Sequence, residues 1–127
     1  MEQVYNKLVR DKIPEIIESN NEIPITRILN DKEYKEELEK KLYEEYQEVI
    51  GANGMDRIEE LADMLEVMKA LASLENKTLD DVVKVAREKE IKRGAFNKRI
   101  YLKKVLKKWH LFKKVSFNFE IKKYMNI

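Results

Sequence analysis

The sequence predicts an all-α protein built as a bundle of four helices, and three observations carry that expectation. Three glycines and two prolines in 127 residues leave a chain dominated by Glu, Lys, Leu and Ile, a bias that favours helix over strand. Over residues 31–50 and 56–75 the apolar residues recur at spacings of three, four and seven, the period of one helix face. Capping and helix-stopping residues stand at the ends of those stretches, where helices begin and end.

Taken in order, residues 3–10 read as extended or loop. Asp11 is expected as an N-cap with Pro14 in the first turn, opening a short helix that runs through Asn20. Residues 25–29 are expected as a short strand. Asn30 or Asp31 then caps a long helix to about Ile50. Its apolar seam passes through Tyr34, Leu38, Leu42 and Val49, and Glu45 falls on that seam where a leucine would be expected, with Glu48 beside it. A buried, unpaired carboxylate is costly, so Glu45 needs a partner, either a cation or an arginine.

The run Gly51-Ala-Asn-Gly54 is a helix-ending turn. The second long helix carries Ile58, Leu61, Leu65, Met68 and Ala72 on one stripe, widened by Val67, Leu71 and Leu74, and is expected to be largely buried and central. Glu60 and Asp63 share a row with Val67, Ala70 and Leu74. The run Thr78-Leu-Asp-Asp81 is a capping box for a fourth helix reaching about Arg93, which Gly94 stops. Residues 99–102 are expected as a strand beside residues 25–29, a minor β element. Residues 103–112 are Lys-rich and amphipathic, and residues 115–121 alternate with the period of a half-buried strand. The expected division is a helical domain over 1–106 and a basic, aromatic extension over 107–127.

Composition narrows the chemistry. The chain has no cysteine and a single histidine, His110, which excludes disulfides and thiolate zinc sites and agrees with a reducing cytoplasm. No apolar run approaches the ~20 residues of a membrane span, and the N-terminus lacks a signal-peptide core; a soluble cytoplasmic protein is expected. The net charge of +2 conceals a polarity: residues 1–83 carry 11 Lys+Arg against 21 Asp+Glu, a net −10, and residues 84–127 carry 15 against 3, a net +12. The acidic part suits cations and the basic part an anion, although the two could also neutralise one another across an interface.

The chemistry concentrates in two i,i+3 pairs, Glu45/Glu48 and Glu60/Asp63, on consecutive helices joined by a short turn. Side chains three apart share a helix face about 4.5 Å apart along the axis, so two helices folded back on each other aim four carboxylates at one volume. Such groups resist joint ionisation, and a hard divalent cation with oxygen ligands, Mg²⁺ or Mn²⁺, resolves the conflict. A di-iron bundle would need Glu-x-x-His pairs, and His110 is far from both acidic pairs. Glu44 and Glu59 read as surface or outer carboxylates.

These residues resemble a family. Glu44-Glu45-Tyr-Gln-Glu48 followed by Glu60-Leu-Ala-Asp63 is similar to the EExxE…ExxD signature of MazG-type all-α nucleotide pyrophosphohydrolases, which include phosphoribosyl-ATP pyrophosphohydrolase-like proteins. The run from Tyr5 to Pro14 and the pattern Lys89-x-x-x-Arg93-Gly94-Ala-Phe96 resemble the flanks of one small branch. The resemblance covers about residues 4–106. Two features depart from it: a connector of 11 residues between Glu48 and Glu60, at the short limit, and the tail after Leu106. The resemblance implies a four-helix bundle of that type and Mg²⁺-dependent hydrolysis of a nucleoside triphosphate, or related nucleotide, to a monophosphate and pyrophosphate. Glu45, Glu48, Glu60 and Asp63 would be the metal ligands, and Glu45 or Glu48 the acceptor of the attacking water's proton.

Phosphoryl transfer also needs cationic donors. Lys89 and Arg93, four apart on one helix face, and Arg10 and Lys12 beside the first helix are the candidates. Tyr5, Tyr43, Tyr46 and Phe96 are candidates for stacking a base, against an ordinary packing role. Short helices with exposed apolar rows suggest a homodimer or homotetramer. A different class of function is a non-catalytic module whose tail, with Trp109, Phe112, Phe117 and Phe119, grips single-stranded nucleic acid. The same aromatics would equally serve as packing groups on the bundle or on a second subunit.

Overall fold

The structure, a computed structural model, describes residues 1–107. It is all-helical among those residues, with α1 Ile13–Ser19, α2 Asp31–Gly51, α3 Gly54–Leu74 and α4 Leu79–Arg93. The chain divides into two compact units, Met1–Val82 and Val83–Ile127. His110, Trp109, Phe112, Phe117, Phe119 and the strand expected over 115–121 lie outside the described residues.

In the first unit α2 and α3 pack as a hairpin. The local sequence explains why α2 starts where it does. The Asn30 side chain accepts a hydrogen bond from Glu33 N at 2.9 Å, and the Glu33 side chain returns one from Asn30 N. This is the capping box that satisfies otherwise unpaired donors. Arg27 forks onto the same glutamate, with Nη1 and Nη2 at 3.1 and 2.6 Å from its two oxygens, tying the preceding loop to the helix start.

Between the two long helices Arg57 Nε donates to the Ala52 carbonyl at 2.9 Å, closing the turn. Gly54 enters α3 with φ +59°, a left-handed conformation that glycine adopts without a Cβ penalty. Of the hydrophobic residues, only Leu38 at 3% and Val67 at 7% exposure are fully buried among the described residues. Tyr34, Leu42 and Val49 are half-buried along the same seam of α2.

Three expectations require correction. Helix α1 starts after Lys12, which occupies the N-cap in a helical conformation without a side-chain cap, so Asp11 does not cap it. The Pro14 ring, fixed near the helical φ, sets that start. Residues 25–29 and 99–102 form no strand; a strand exists through its ladder partner, and neither segment has one, leaving Ile25, Ile28, Ile100 and Tyr101 exposed. Helix α3 is not largely buried: Ile58 is 55% and Leu65 44% exposed, and Leu61 and Met68 are open as well, because α2 covers only one of its rows.

In the chain's continuation the Thr78–Asp81 capping box forms as read. Asp81 N donates to Thr78 Oγ1 at 3.2 Å, and Thr78 N donates to Asp81 Oδ2 at 2.8 Å. Helix α4 ends at Gly94, which has φ +84° and whose N–H donates to Glu90 O at 2.7 Å, a left-handed helix stop. No helix among the described residues is long and apolar enough to cross a membrane.

Candidate metal centre

The hairpin brings three of the four paired acids to one place. Glu45 sits on the α2 seam one helical repeat from Leu38, which is why α3 covers it: the residue is 7% exposed. On α3, Glu60 and Asp63 lie on the row that runs through Val67, and both are half-buried. Glu45, Glu60 and Asp63 each place one carboxylate oxygen within 4.8 Å of the others, a triad able to hold a metal ion. Glu48 is exposed and outside that triad, yet its carboxylate acts on both Glu45 and Glu60.

The electrostatics show the strain of this gathering. Burial pushes the Glu45 carboxyl from its ordinary 4.5 up to about 7, reinforced by hydrogen bonding to Glu48 and the charges of Glu48 and Asp63, while Lys41 pulls the other way. Glu60 is raised as well, first by hydrogen bonding to Glu48, then by burial, and then by the charges of Glu48, Asp63 and Glu59. Glu45 Oε2 and Glu60 Oε2 are buried with no hydrogen-bond partner among the described residues. Buried polar atoms of native proteins are rarely left so.

Arg10 is the cationic candidate that reaches this cluster. Its Nη2 lies 2.7 Å from Asp63 Oδ1, a contact across 53 positions of sequence. Lys12 is exposed at the N-cap of α1 and makes no ion pair among the described residues. Lys89 and Arg93 lie on α4 within the second unit, both exposed. Glu44 is half-buried on α2 and Glu59 is exposed on α3.

The donor set fits a hard cation. All the ligand atoms are carboxylate oxygens, three such groups gather with one guanidinium on Asp63, and two oxygens lack a hydrogen-bond partner among the described residues. Sequence reasoning did not single out Lys41, which stands four residues before Glu45 and thus one turn along the same face. That spacing was the available signal.

No family model matches the chain. No solved structure matches it either. A segment of 50 residues is 44% identical to a protein of Mycolicibacterium smegmatis described as uncharacterized, over 39% of this chain and 51% of that protein. The chain thus aligns with about half the length of that relative.

Proposed function

We propose that this protein is a Mg²⁺-dependent nucleotide pyrophosphohydrolase of the MazG type, cleaving a nucleoside triphosphate or related nucleotide to a monophosphate and pyrophosphate. The observation that carries the reading is Glu45: a glutamate 7% exposed on an apolar seam, grouped with Glu60 and Asp63 and holding an oxygen without a partner. Carboxylates are not placed this way for packing, since a leucine would serve the seam better.

Glu45, Glu48, Glu60 and Asp63 would hold the cation, with Mn²⁺ as the substitute for Mg²⁺. Once bound, it supplies charge neutralisation and Lewis acidity toward the phosphate oxygens and the attacking water. Glu48, exposed beside Glu45 and Glu60, is the group best situated to accept that water's proton, with Glu45 second. The water oxygen bonds to the α-phosphorus, the bond from phosphorus to the bridging oxygen breaks in line, and pyrophosphate departs. Arg10, held on Asp63, is the donor nearest the developing charge, and Lys12 adds positive charge to the same segment.

The same reading includes a second copy of the chain in a homodimer or homotetramer, packed on the open α3 row of Ile58, Leu61, Leu65 and Met68. The test is release of pyrophosphate from mixed nucleoside triphosphates with Mg²⁺, and its loss on chelation. Glu48→Gln and Asp63→Asn should each lower the rate by about 10²–10⁴-fold. Wild-type protein that releases no pyrophosphate under these conditions refutes the proposal.

A further inference from the structure

A groove of about 230 Å³ lies between the N-terminal segment and α2, lined by Tyr5, Asn6 and Lys7 on one side and Lys41, Tyr43 and Glu44 on the other. Its position is informative because Lys41 belongs to two places at once. It lines the groove with Glu44, and it stands one turn before Glu45 on the same face of α2. The groove therefore opens beside the candidate metal centre. Whole-ligand pockets run to roughly 300–1,000 Å³, so this one accommodates part of a nucleotide and leaves the remainder to the cluster.

The walls are organised. Asn6 has φ +47°, a left-handed bend that asparagine tolerates. The bend lets four consecutive residues, Tyr5 to Leu8, line one groove, whereas an extended strand would send alternate side chains to opposite faces. On the far wall the Tyr43 ring stacks on Tyr46, with centroids 6.2 Å apart and planes at 23°. Its hydroxyl accepts a hydrogen bond from Gln47 Nε2 at 3.3 Å. Tyr43 is thus held in place while 62% exposed, and Tyr5 across the groove is 64% exposed.

The charges divide as well. Lys40, also on the lining, is paired with Glu37 at 3.3 Å. Lys7 and Lys41 make no ion pair among the described residues. One held and one exposed aromatic ring with two unpaired ammonium groups, next to a site for phosphate oxygens, match the nucleoside end of a nucleotide.

We propose that this groove is the nucleoside subsite of the enzyme, with Tyr5 and Tyr43 flanking the base and Lys7 and Lys41 holding sugar and α-phosphate oxygens. The assignment rests on the pyrophosphohydrolase reading. Its test separates the two by measuring binding and turnover independently. ATP, GTP, CTP and UTP are each titrated calorimetrically into the Mg²⁺-loaded protein, and KM and kcat are taken from pyrophosphate release. Tyr43→Ala should raise Kd and KM by about tenfold with kcat little changed, Lys7→Gln should raise Kd and KM by a similar factor and lower kcat as well, and Tyr43→Phe should recover the affinity that Tyr43→Ala loses.

Lys7 lies on the exposed N-terminal segment, so its variant remains decisive if Tyr43→Ala fails to fold. Unchanged Kd and KM in either folded variant overturns the subsite while hydrolysis stands. Binding by wild-type protein that both variants lose, without any pyrophosphate released, upholds the groove as a nucleotide site and overturns the hydrolase. A wild-type protein that binds none of the four triphosphates overturns both.

Discussion

Along α3 the row Glu60, Asp63, Val67 and Leu71 is buried or half-buried against α2, whereas Ile58, Leu61, Leu65 and Met68 stay open. By hydropathy alone the second row is the better core and the first the worse. The fold turns the acids inward and leaves the aliphatic side chains in water. Neither choice is stable in isolation: the inward row crowds negative charge in a low-dielectric space, and the outward row forgoes burial. Four such side chains at about half exposure leave roughly 3–6 kcal/mol of burial unrealised per copy. Under the proposed reading the two rows take different partners, a cation on one side and a second copy of the chain on the other.

The largest expected effect breaks the outward half of that comparison. Leu61→Lys combined with Leu65→Lys should convert the proposed oligomer to monomers, read as a fall in molar mass by sedimentation or light scattering. A wild-type protein that is already monomeric at micromolar concentration would remove the reason offered for the open row. The inward half is tested at Glu45. Replacing it with leucine should stabilise the metal-free protein by about 1–4 kcal/mol, since a buried charge is exchanged for a packed aliphatic group, and should erase the stabilisation expected of the wild type on adding Mg²⁺.

The same penalty has a pH signature. The Glu45 carboxyl is raised in the fold from 4.5 to about 7, so the native state binds the proton more tightly than the unfolded chain does. Its contribution to stability is therefore fully present below pH 4.5 and is lost as pH rises through 7. Thermal melts of metal-free protein should show this decline, and Glu45→Leu should flatten it. Removing one ligand of the triad has a smaller, more local consequence. Glu60→Gln should weaken Mn²⁺ binding by at least about tenfold, measured by calorimetry, with the helix content preserved.

Much of this was legible in the sequence wherever the physics is local. The Asn30 and Thr78 caps follow from side chains reaching backbone groups three residues away, and Glu45 was conspicuous because it interrupts the phase of Leu38 and Leu42. What could not be read depends on partners distant in the chain. The contact of Arg10 with Asp63 spans 53 positions, so the sequence marked both residues without joining them. Strands expected over 25–29 and 99–102 failed for the same reason, because a short run rich in apolar residues becomes a strand only if another edge is present. The acidic pairing pointed to the row of α3 that meets α2, whereas hydropathy wrongly buried the stripe of Ile58, Leu61, Leu65 and Met68.

The smallest effect asks whether the inward face is set by the packed pair or by the way α2 begins. Asn30→Ala deletes the acceptor for Glu33 N and should cost about 1 kcal/mol of stability. The lost cap frays the first turn and loosens the hold of Arg27 on Glu33, but Glu45 lies four turns further along the helix, on the far side of the buried Leu38 contact. Fraying that stops at Leu38 leaves the carboxylates in register, so Mn²⁺ affinity should stay within about twofold of wild type while the melting temperature falls. A parallel loss of affinity would mean that the helix start and the acidic cluster unfold as one unit. The contact at Leu38 would then not isolate the site, and the distinction drawn between the two rows of α3 would have to give way to a single cooperative hairpin.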